Sequence, residues 1–357
     1  MHNSSQVKRI EFLDFAKGFA ILTIVLFHYF KISATGLMSK AIMFGGTGVH
    51  LFIIMSGFGL TLSPFFSSLS FYKRRFLKIL VPYYLFVTFL FILNQFYMLF
   101  PEDDLYAYLG HILWYKMFDE SIISSFYYHL WFLSTIIQFY LIYPLLLEAK
   151  GRLGNMYFVI LAISISVIYW FTIIKFNVSE MLVFRSFFLQ YLWEFCIGMV
   201  LADQYRKRHY KFWQQRVSIL FLVTIIGIAL MGFMAMKGGY IGRVLNDIPA
   251  AFGYTSLVIL TYLLFTKINN IFTKIFKYIG SISYELYLIH MFAAMVIVSI
   301  LFNHTIYSLS YSEGLFIIPF TIALAMCYKM FSMWFVQFVS GIHKSLGRYS
   351  DNVLVGE

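Results

Sequence analysis

The chain has 357 residues, of which 61% are hydrophobic and only 12% charged, and its mean hydropathy is +0.78. Soluble domains lie nearer half apolar and a quarter charged, so a water-soluble fold is excluded for most of this length. The formal net charge of +11 does not point to nucleic acid, because Lys and Arg sit in short clusters between apolar stretches. Positive charge distributed in that way sets membrane topology, with anionic lipid headgroups or a phosphorylated ligand as fitting partners.

Apolar stretches of spanning length are predicted at 10–32, 44–64, 76–100, 128–148, 155–175, 186–203, 217–236, 249–266, 281–303 and 314–338. The expectation is an all-α polytopic transmembrane bundle of about ten spans. The first follows Lys8 and Arg9, lacks a small-residue cleavage site and contains Asp14 and Lys17, so it is expected to be retained as a helix. Lys73, Arg74, Arg75 and Lys78 precede the third span, and Lys150 and Arg152 follow the fourth. Arg206, Lys207, Arg208, Lys211 and Arg216 follow the sixth, Lys267, Lys274 and Lys277 the eighth, and Lys344 and Arg348 the last. The opposite connections are poorer in positive charge, and the longest holds Glu102, Asp103, Asp104, Asp119 and Glu120. The alternation predicts both termini on the cytoplasmic side of a cell (inner or plasma) membrane. Within 101–127, Leu105, Tyr106, Leu109, Ile112 and Leu113 recur at helical spacing and predict an interfacial helix. Residues 1–357 read as one integral-membrane domain with a short cytoplasmic tail at about 340–357. Cys196 and Cys327 fall in distant apolar spans, with neither a disulfide framework nor metal-ligand spacing, so no metal is expected.

Ionisable residues inside spans carry the functional signal. At about 100° per residue, Lys17 lies roughly 60° and His28 roughly 40° from Asp14 around the first helix, so the three share one stripe. A charge at the bilayer centre costs about 2.5–3.5 kcal/mol even on insertion scales, and such residues face a cavity or one another. An Asp14–Lys17 pair with His28 bonded to a neighbouring helix would also account for them. His129, Trp131, Ser134 and Gln138 on the fourth span, Gln190 and Glu194 on the sixth, and Ser283, Tyr287 and His290 on the ninth add further polar residues. Together these stripes favour a shared polar cavity. Phosphate-loop, nucleophile-elbow, zinc and dinucleotide motifs are all missing from the sequence. His28 is the leading candidate for acid–base work, since imidazole titrates near neutrality.

At these residues the sequence resembles the acyltransferase-3 family of integral-membrane O-acyltransferases, along almost the whole chain and as a stand-alone membrane domain. Lys17 and His28 keep the spacing of the family's Leu-Asp-x-x-Arg-Gly…His opening, with Lys in place of Arg. The stretch Gly48-Val-His-Leu-Phe-Ile-Ile-Met-Ser-Gly-Phe58 is similar to the second-helix segment, with His50 where Asp is usual and Ser56 retained. Phe71–Tyr83 resembles the basic entrance to the third helix, and His129–Ser134 with Gln138–Tyr140, and Ile282–His290, match two later signatures. Where many members carry paired glutamates, this chain has Ile136 and Ile137.

The resemblance implies O-acetyltransferase activity: transfer of an acyl group, usually acetyl from acetyl-CoA, to a hydroxyl of a cell-surface glycan or its lipid-linked precursor. It implies His28 as catalytic residue with Lys17 as its basic partner, and Arg74, Arg75 and Lys78 for the CoA phosphates. Asp14, Ser56, His129, Trp131, Glu194, Tyr287 and His290 are expected to support the polar cavity. Acyl-CoA, a saccharide acceptor and membrane lipids are the expected partners, nucleic acid is not, and homo-oligomerisation stays open. Lys17 and His28 stand about 16 Å apart along the helix, a length that a pantetheine arm reaching from Arg74 and Arg75 can span. Alternatives are a succinyl donor, a peptidoglycan acceptor, or a non-enzymatic transporter or flippase of a lipid-linked sugar. The predicted topology has a direct check. A cysteine placed in the 101–127 connection should react with an impermeant maleimide in intact cells, and one placed at 204–216 should react only after lysis; the reverse pattern contradicts the assignment.

Overall fold

A lipid-embedded chain must satisfy its backbone hydrogen bonds internally, and here it does so with helices; no strand occurs among the described residues. The computed structural model describes residues 10–353 apart from 32, 209–215, 269, 304 and 306–308. Lys8, Arg9 and Lys211, expected to mark the cytoplasmic side, lie outside the described residues, as do the side chains of Lys344 and Arg348.

Eight helical segments among the described residues are long and apolar enough to cross a membrane. One of them, Trp131–Lys175, has 45 residues, roughly 67 Å if straight, about twice the hydrocarbon thickness. It is broken at Gly154, with φ 72° and ψ 166°, a backbone state that glycine reaches without a Cβ clash. The halves fold back on each other. Near the turn Lys150 Nζ meets Asp203 Oδ2 at 2.6 Å. Gln138 before the break and Ser166 after it then bond the same short stretch: Gln138 Oε1 accepts from Phe188 N at 3.1 Å, and Ser166 Oγ donates to Leu189 O at 2.8 Å. Residues 131–153 and 155–175 are therefore two antiparallel crossings. Leu192–Arg208 has only 17 residues but is lengthened by the tight turn Phe188–Tyr191 that precedes it. With these, the expected ten crossings are reached: α1 (Glu11–Phe30), α2 (Gly48–Leu62), α3 (Val81–Tyr97), α4 (131–153), α5 (155–175), α6 (Leu192–Arg208), α7 (Val217–Lys237), α8 (Asp247–Ile268), α9 (Ser283–Phe302) and α10 (Tyr311–Val353).

The basic ends converge. Glu11, at the start of α1, pairs with Lys277 at 2.9 Å, Arg206 donates to Thr61 O at 2.5 Å, and Arg74 donates to Pro64 O at 3.1 Å. The start of α1, the end of α2 and the end of α6 thus share one face of the bundle, as the charge pattern requires. The outer surfaces of α7 and α10 expose Leu222, Ile225, Phe316 and Phe331, the apolar contact expected with acyl chains.

Helix α1 is the hub. Its outer half shares one apolar core with α3, α4, α9 and α10 through Ile21, Val25 and Tyr29, its inner half shares another with α2, α5 and α8 through Phe15, Ala16 and Ala20, and the short helix Asn270–Gly280 packs directly on it, Gly18 against Gly280. Without a hydrophobic difference between lipid and leucine, helices in a membrane gain mainly from close approach. A Cβ on Gly198 of α6 would lie 3.1 Å from Phe58 N, and one on Gly57 of α2 3.0 Å from the Phe195 carbonyl carbon, so these backbones touch.

A compact cap fills the connection between α3 and α4. The expected helix is present as Leu105–Leu113, with Asp104 accepting from Ala107 N at 3.0 Å as its N-cap and with Leu105, Tyr106 and Leu113 exposed. His111 bridges Tyr83 Oη (2.6 Å) and Ser125 Oγ (2.8 Å). Burial, and secondarily the charge of Lys116, hold its pKa well below the usual histidine value. Lys116 is fully enclosed and donates to Ile123 O at 3.3 Å. Burial lowers its pKa to about 7, against a smaller opposing pull from Asp103. A depressed lysine pKa destabilises the fold fully below about 7, and the penalty fades as pH rises towards the unfolded value of about 10.4. Lys116→Met should therefore raise the thermal midpoint in detergent, by the equivalent of ~1–4 kcal/mol near pH 6 and by clearly less near pH 9. Equal gains at both pH values would contradict the buried charge.

Candidate active site

A cavity of about 1280 Å³ runs beside α1 and is bounded by α2, the approach to α3, the start of α4, and α9 and α10. The α1 side chains that line it are Leu13, Asp14, Lys17, Ile24, Phe27 and His28, spaced three, four and seven apart as one helical face requires. The predicted stripe is therefore the cavity wall.

At the end shared by the basic clusters, the cavity is lined by Arg74, Arg75, Lys78 and Lys329. The first three are placed by a local irregularity. Residues Phe76–Leu80 form a π-turn just ahead of Pro82, which has no N–H to give the preceding turn. Tyrosines brace this stretch: Tyr284 Oη donates to Ile79 O at 2.6 Å, and Tyr328 Oη to Pro82 O. The Arg74 guanidinium lies 5.8 Å from the Phe66 ring, and that of Arg75 lies 5.6 Å from Phe71 and 5.7 Å from Tyr140. The buried Nε of Arg75 has no hydrogen-bond partner. Planar, always-charged groups held on aromatic faces suit a phosphate-bearing ligand.

At the other end three imidazoles meet. The His28 ring centroid is 5.9 Å from that of His129 and 5.2 Å from that of His290, and His129 and His290 are 4.4 Å apart. His28 sits in the last turn of α1. His129 belongs to the tight turn Tyr128–Leu130, whose backbone is fixed by Tyr287 Oη donating to His129 O at 2.8 Å. His290 Nδ1 lies 2.8 Å from Tyr287 O and 3.1 Å from Leu286 O; both are acceptors, so Nδ1 carries the hydrogen and Nε2 keeps its lone pair. Tyr29 Oη donates to His290 O at 3.0 Å and contacts Thr321 Oγ1 at 2.9 Å, which fixes the helix behind the ring. Nδ1 of His28, both nitrogens of His129 and Nε2 of His290 are buried without a hydrogen-bond partner. Among the described residues no group of His, Cys, Asp and Glu could hold a metal ion. The cluster is suited to taking and passing protons.

Of the residues singled out from sequence, His28, Lys17, Arg74, Arg75, Lys78, Asp14, Ser56, His129, Trp131 and Tyr287 all line this one cavity. His290 and Glu194 do not, and neither do Ser134, Gln138 and Gln190 of the polar stripes. His290 is fully enclosed behind His28 and His129 and reaches the cavity only through them. Glu194 belongs to a different network. The glycine contact between α2 and α6 turns it onto α2, where Glu194 Oε1 meets His50 Nδ1 at 2.9 Å. His50 Nε2 then lies 3.5 Å from Asp247 Oδ1 at the start of α8. An aspartate at position 50 would have set a third carboxylate beside these two; histidine instead offers a nitrogen to each.

Sequence reasoning missed Lys329, whose Nζ donates to Ser281 O at 2.6 Å on the cavity wall. Its signal was available: an ionisable residue inside the last apolar span, of the same kind that singled out Asp14 and Lys17. Glu285, also on the wall, carried the same signal as an ionisable residue inside the ninth apolar span, whereas Tyr128 and Tyr284 had no comparable mark, because aromatic residues are abundant throughout the chain.

A family model described as "Acyltransferase domain" matches residues 10–330. Neither the curated proteins nor the solved structures contain a match.

The His50 network makes a prediction separate from the cavity. His50→Leu leaves Glu194 and Asp247 buried without a partner between them, a change that costs about 3–5 kcal/mol. The thermal midpoint of the purified protein should fall accordingly, and Glu194→Gln in the same chain should recover part of the loss. An unchanged midpoint in His50→Leu would contradict the network.

Proposed function

This chain belongs to the acyltransferase-3 family and is a multi-pass membrane acyltransferase, and we propose that it moves an acyl group, foremost acetyl, from cytoplasmic acyl-CoA to a hydroxyl of a cell-surface glycan or its lipid-linked precursor. The observation that carries this reading is a single cavity with Arg74, Arg75, Lys78 and Lys329 at one end and His28 and His129 at the other. The cations suit the phosphates of CoA, and the length of α1 between Lys17 and His28 suits its pantetheine arm. The cell (inner or plasma) membrane is the fitting location, since the donor must be reached from the cytoplasm.

In the proposed reaction the neutral imidazole of His28 accepts the proton of the acceptor hydroxyl as its oxygen attacks the thioester carbonyl. The tetrahedral intermediate collapses with loss of the CoA thiolate. The imidazolium returns its proton to that sulfur, leaving an O-acyl ester, CoA thiol and neutral His28. His129 and His290, in ring contact with His28, offer a place for the proton between the two steps. Transport of a lipid-linked sugar would leave the paired arginines and the histidine cluster without a role.

In membranes supplied with radiolabelled acetyl-CoA, His28→Gln should lower transfer to the glycan by about 10²–10⁴ while the protein stays folded and inserted. Arg74→Gln with Arg75→Gln should raise the KM for acetyl-CoA at least tenfold and change kcat far less, as expected for lost uniform binding. Full transfer by His28→Gln would overturn the catalytic assignment, and an unchanged KM would overturn the donor site.

A further inference from the structure

The glycines of α1, α2 and the turn between them are of two kinds. One kind is required by packing. A Cβ on Gly45 would lie 2.4 Å from Thr23 O, one on Gly48 2.9 Å from Ala20 O, and one on Gly57 2.1 Å from Phe195 O. A carbon cannot sit that close to a carbonyl oxygen, so these positions stay bare to let helices touch.

Gly46 and Gly59 are of the other kind. The atoms nearest a Cβ on Gly46 belong to the Phe27 ring, at 3.5 to 3.7 Å, and those nearest a Cβ on Gly59 are the Leu13 methyls, at 3.4 and 4.0 Å. These are ordinary side-chain contacts, and neither residue has a left-handed φ. Neither helix approach nor backbone conformation therefore requires glycine at these two places. What they share is the large cavity, whose wall includes both.

They stand at opposite ends of it. Gly59 lies in the last turn of α2, shortly before Pro64, which also lines the cavity and whose carbonyl accepts from Arg74. Gly46 lies in the tight turn Phe44–Thr47 ahead of α2, against Phe27, whose ring centroid is 4.9 Å from that of His28. A side chain at position 46 would lie along Phe27 and take up cavity space beside the histidine. The walls there are apolar. Val49 and Phe52 follow Gly46 in steps of three residues on one helical face, and Ile24 and Phe27 stand opposite on α1. Lys31, one turn past His28, rests its Nζ on the rings of Phe27 and Tyr128 at 5.4 and 5.9 Å and is not part of the cavity wall.

We propose that Gly46 sets the length of the acyl chain this enzyme accepts, and that the space it leaves admits chains longer than acetyl, butyryl among them. Of the parts that meet at His28, the phosphates and amides of the donor and the hydroxyl of the acceptor are polar, and the acyl chain alone matches apolar walls. With the thioester carbonyl at the His28 ring, a chain continuing past it enters the space bounded by Phe27 and Gly46. In an apolar pocket a single methylene changes kcat/KM by about 10–200-fold, so one added side chain at this wall is enough to alter the choice of donor. The inference rests on the reading of the large cavity as the site of acyl transfer.

The test supplies radiolabelled acetyl-CoA and butyryl-CoA separately to membranes containing the full-length protein and its native acceptor, and compares kcat/KM for the two donors. The readout is the butyryl-to-acetyl ratio, in which any loss of folded protein cancels. Wild type should use butyryl-CoA at no less than about a tenth of the acetyl-CoA rate, within the effect of a single methylene. Gly46→Val should lower the ratio at least tenfold, and Gly46→Ala should lower it by less; the alanine variant, whose Cβ makes only the ordinary contact with Phe27, keeps the test open should valine prevent folding. Gly59→Val, at the cationic end, should impair both donors together and leave the ratio as in wild type. A wild type that transfers acetyl but no butyryl, an unchanged ratio in the Gly46 variants, or an equal fall in Gly59→Val would each overturn the assignment of Gly46 while leaving the transfer reading intact. Transfer of neither group by wild type would instead overturn the transfer reading itself, and the assignment with it.

Discussion

Everything in this fold follows from the cost of showing a charged or strongly polar side chain to lipid. Helix α1 carries Asp14, Lys17 and His28 on one stripe, so that stripe cannot lie on the outside of the bundle. The bundle accordingly places α1 at its centre, with one core of α3, α4, α9 and α10 on one side and another of α2, α5 and α8 on the other. The polar stripe is left facing the space between them. The cavity is in this sense a consequence of α1: packing it away with apolar side chains would strand the stripe in a medium that cannot solvate it. Helices such as α7, with scarcely any buried polar residue, lie at the periphery and present leucine and isoleucine outward.

Two different solutions to the same cost occur within the bundle. Around His50 the polar groups engage one another: Glu194, His50, Asp247 and Gln190 form a chain of contacts from 2.6 to 3.5 Å, with only Glu194 Oε2 and Gln190 Oε1 left over. Around His28 no such chain forms, and four ring nitrogens of the three histidines have no partner. A buried polar atom without a partner is costly, and a fold that keeps four of them together beside a cavity has reserved them for something that arrives. The difference between the two groups lies in that chain of contacts, since His50 and His28 are about equally buried.

The sequence carried the information that depends on local period and length. Ten apolar stretches, the alternation of basic connections and the stripe on α1 are all statements about residues within one or two turns of each other, and they transfer directly to the structure. Ten of the twelve residues assigned to the site from sequence line the cavity; Asp14, Lys17 and His28 do so because they lay on one helix face whose direction the period fixes, whereas Arg74, Arg75 and Lys78 are set by the π-turn ahead of α3 and His129 by a tight turn. What was not legible depends on how faces meet. Glu194 shares a helix turn with Gln190, and nothing local tells whether that face looks into the cavity or onto α2; the answer comes from the glycine contact between Gly57 and Gly198, which sets the rotation of α6. The partnership of His50 with residues 144 and 197 positions further on likewise exists only after packing. Lys329 is the opposite case: it was legible, by the rule that flagged Asp14, and was passed over because it stands alone on its span.

The donor of the proposed reaction makes a demand that the bundle meets in one place. A CoA thioester is long, flexible and anionic, and it needs a wide passage with cations at the rim. The large cavity has that character, with Arg74, Arg75, Lys78 and Lys329 at one end and His28 and His129 at the other. The turn that carries His129 is held in place by the Tyr287 hydroxyl on its carbonyl. Selectivity for the acyl chain would then reside in the apolar walls near His28, formed by Ile24, Phe27, Val49 and Phe52, which are separate from the cationic rim, so that the length of the acyl chain could change through evolution or design without disturbing the grip on the phosphates.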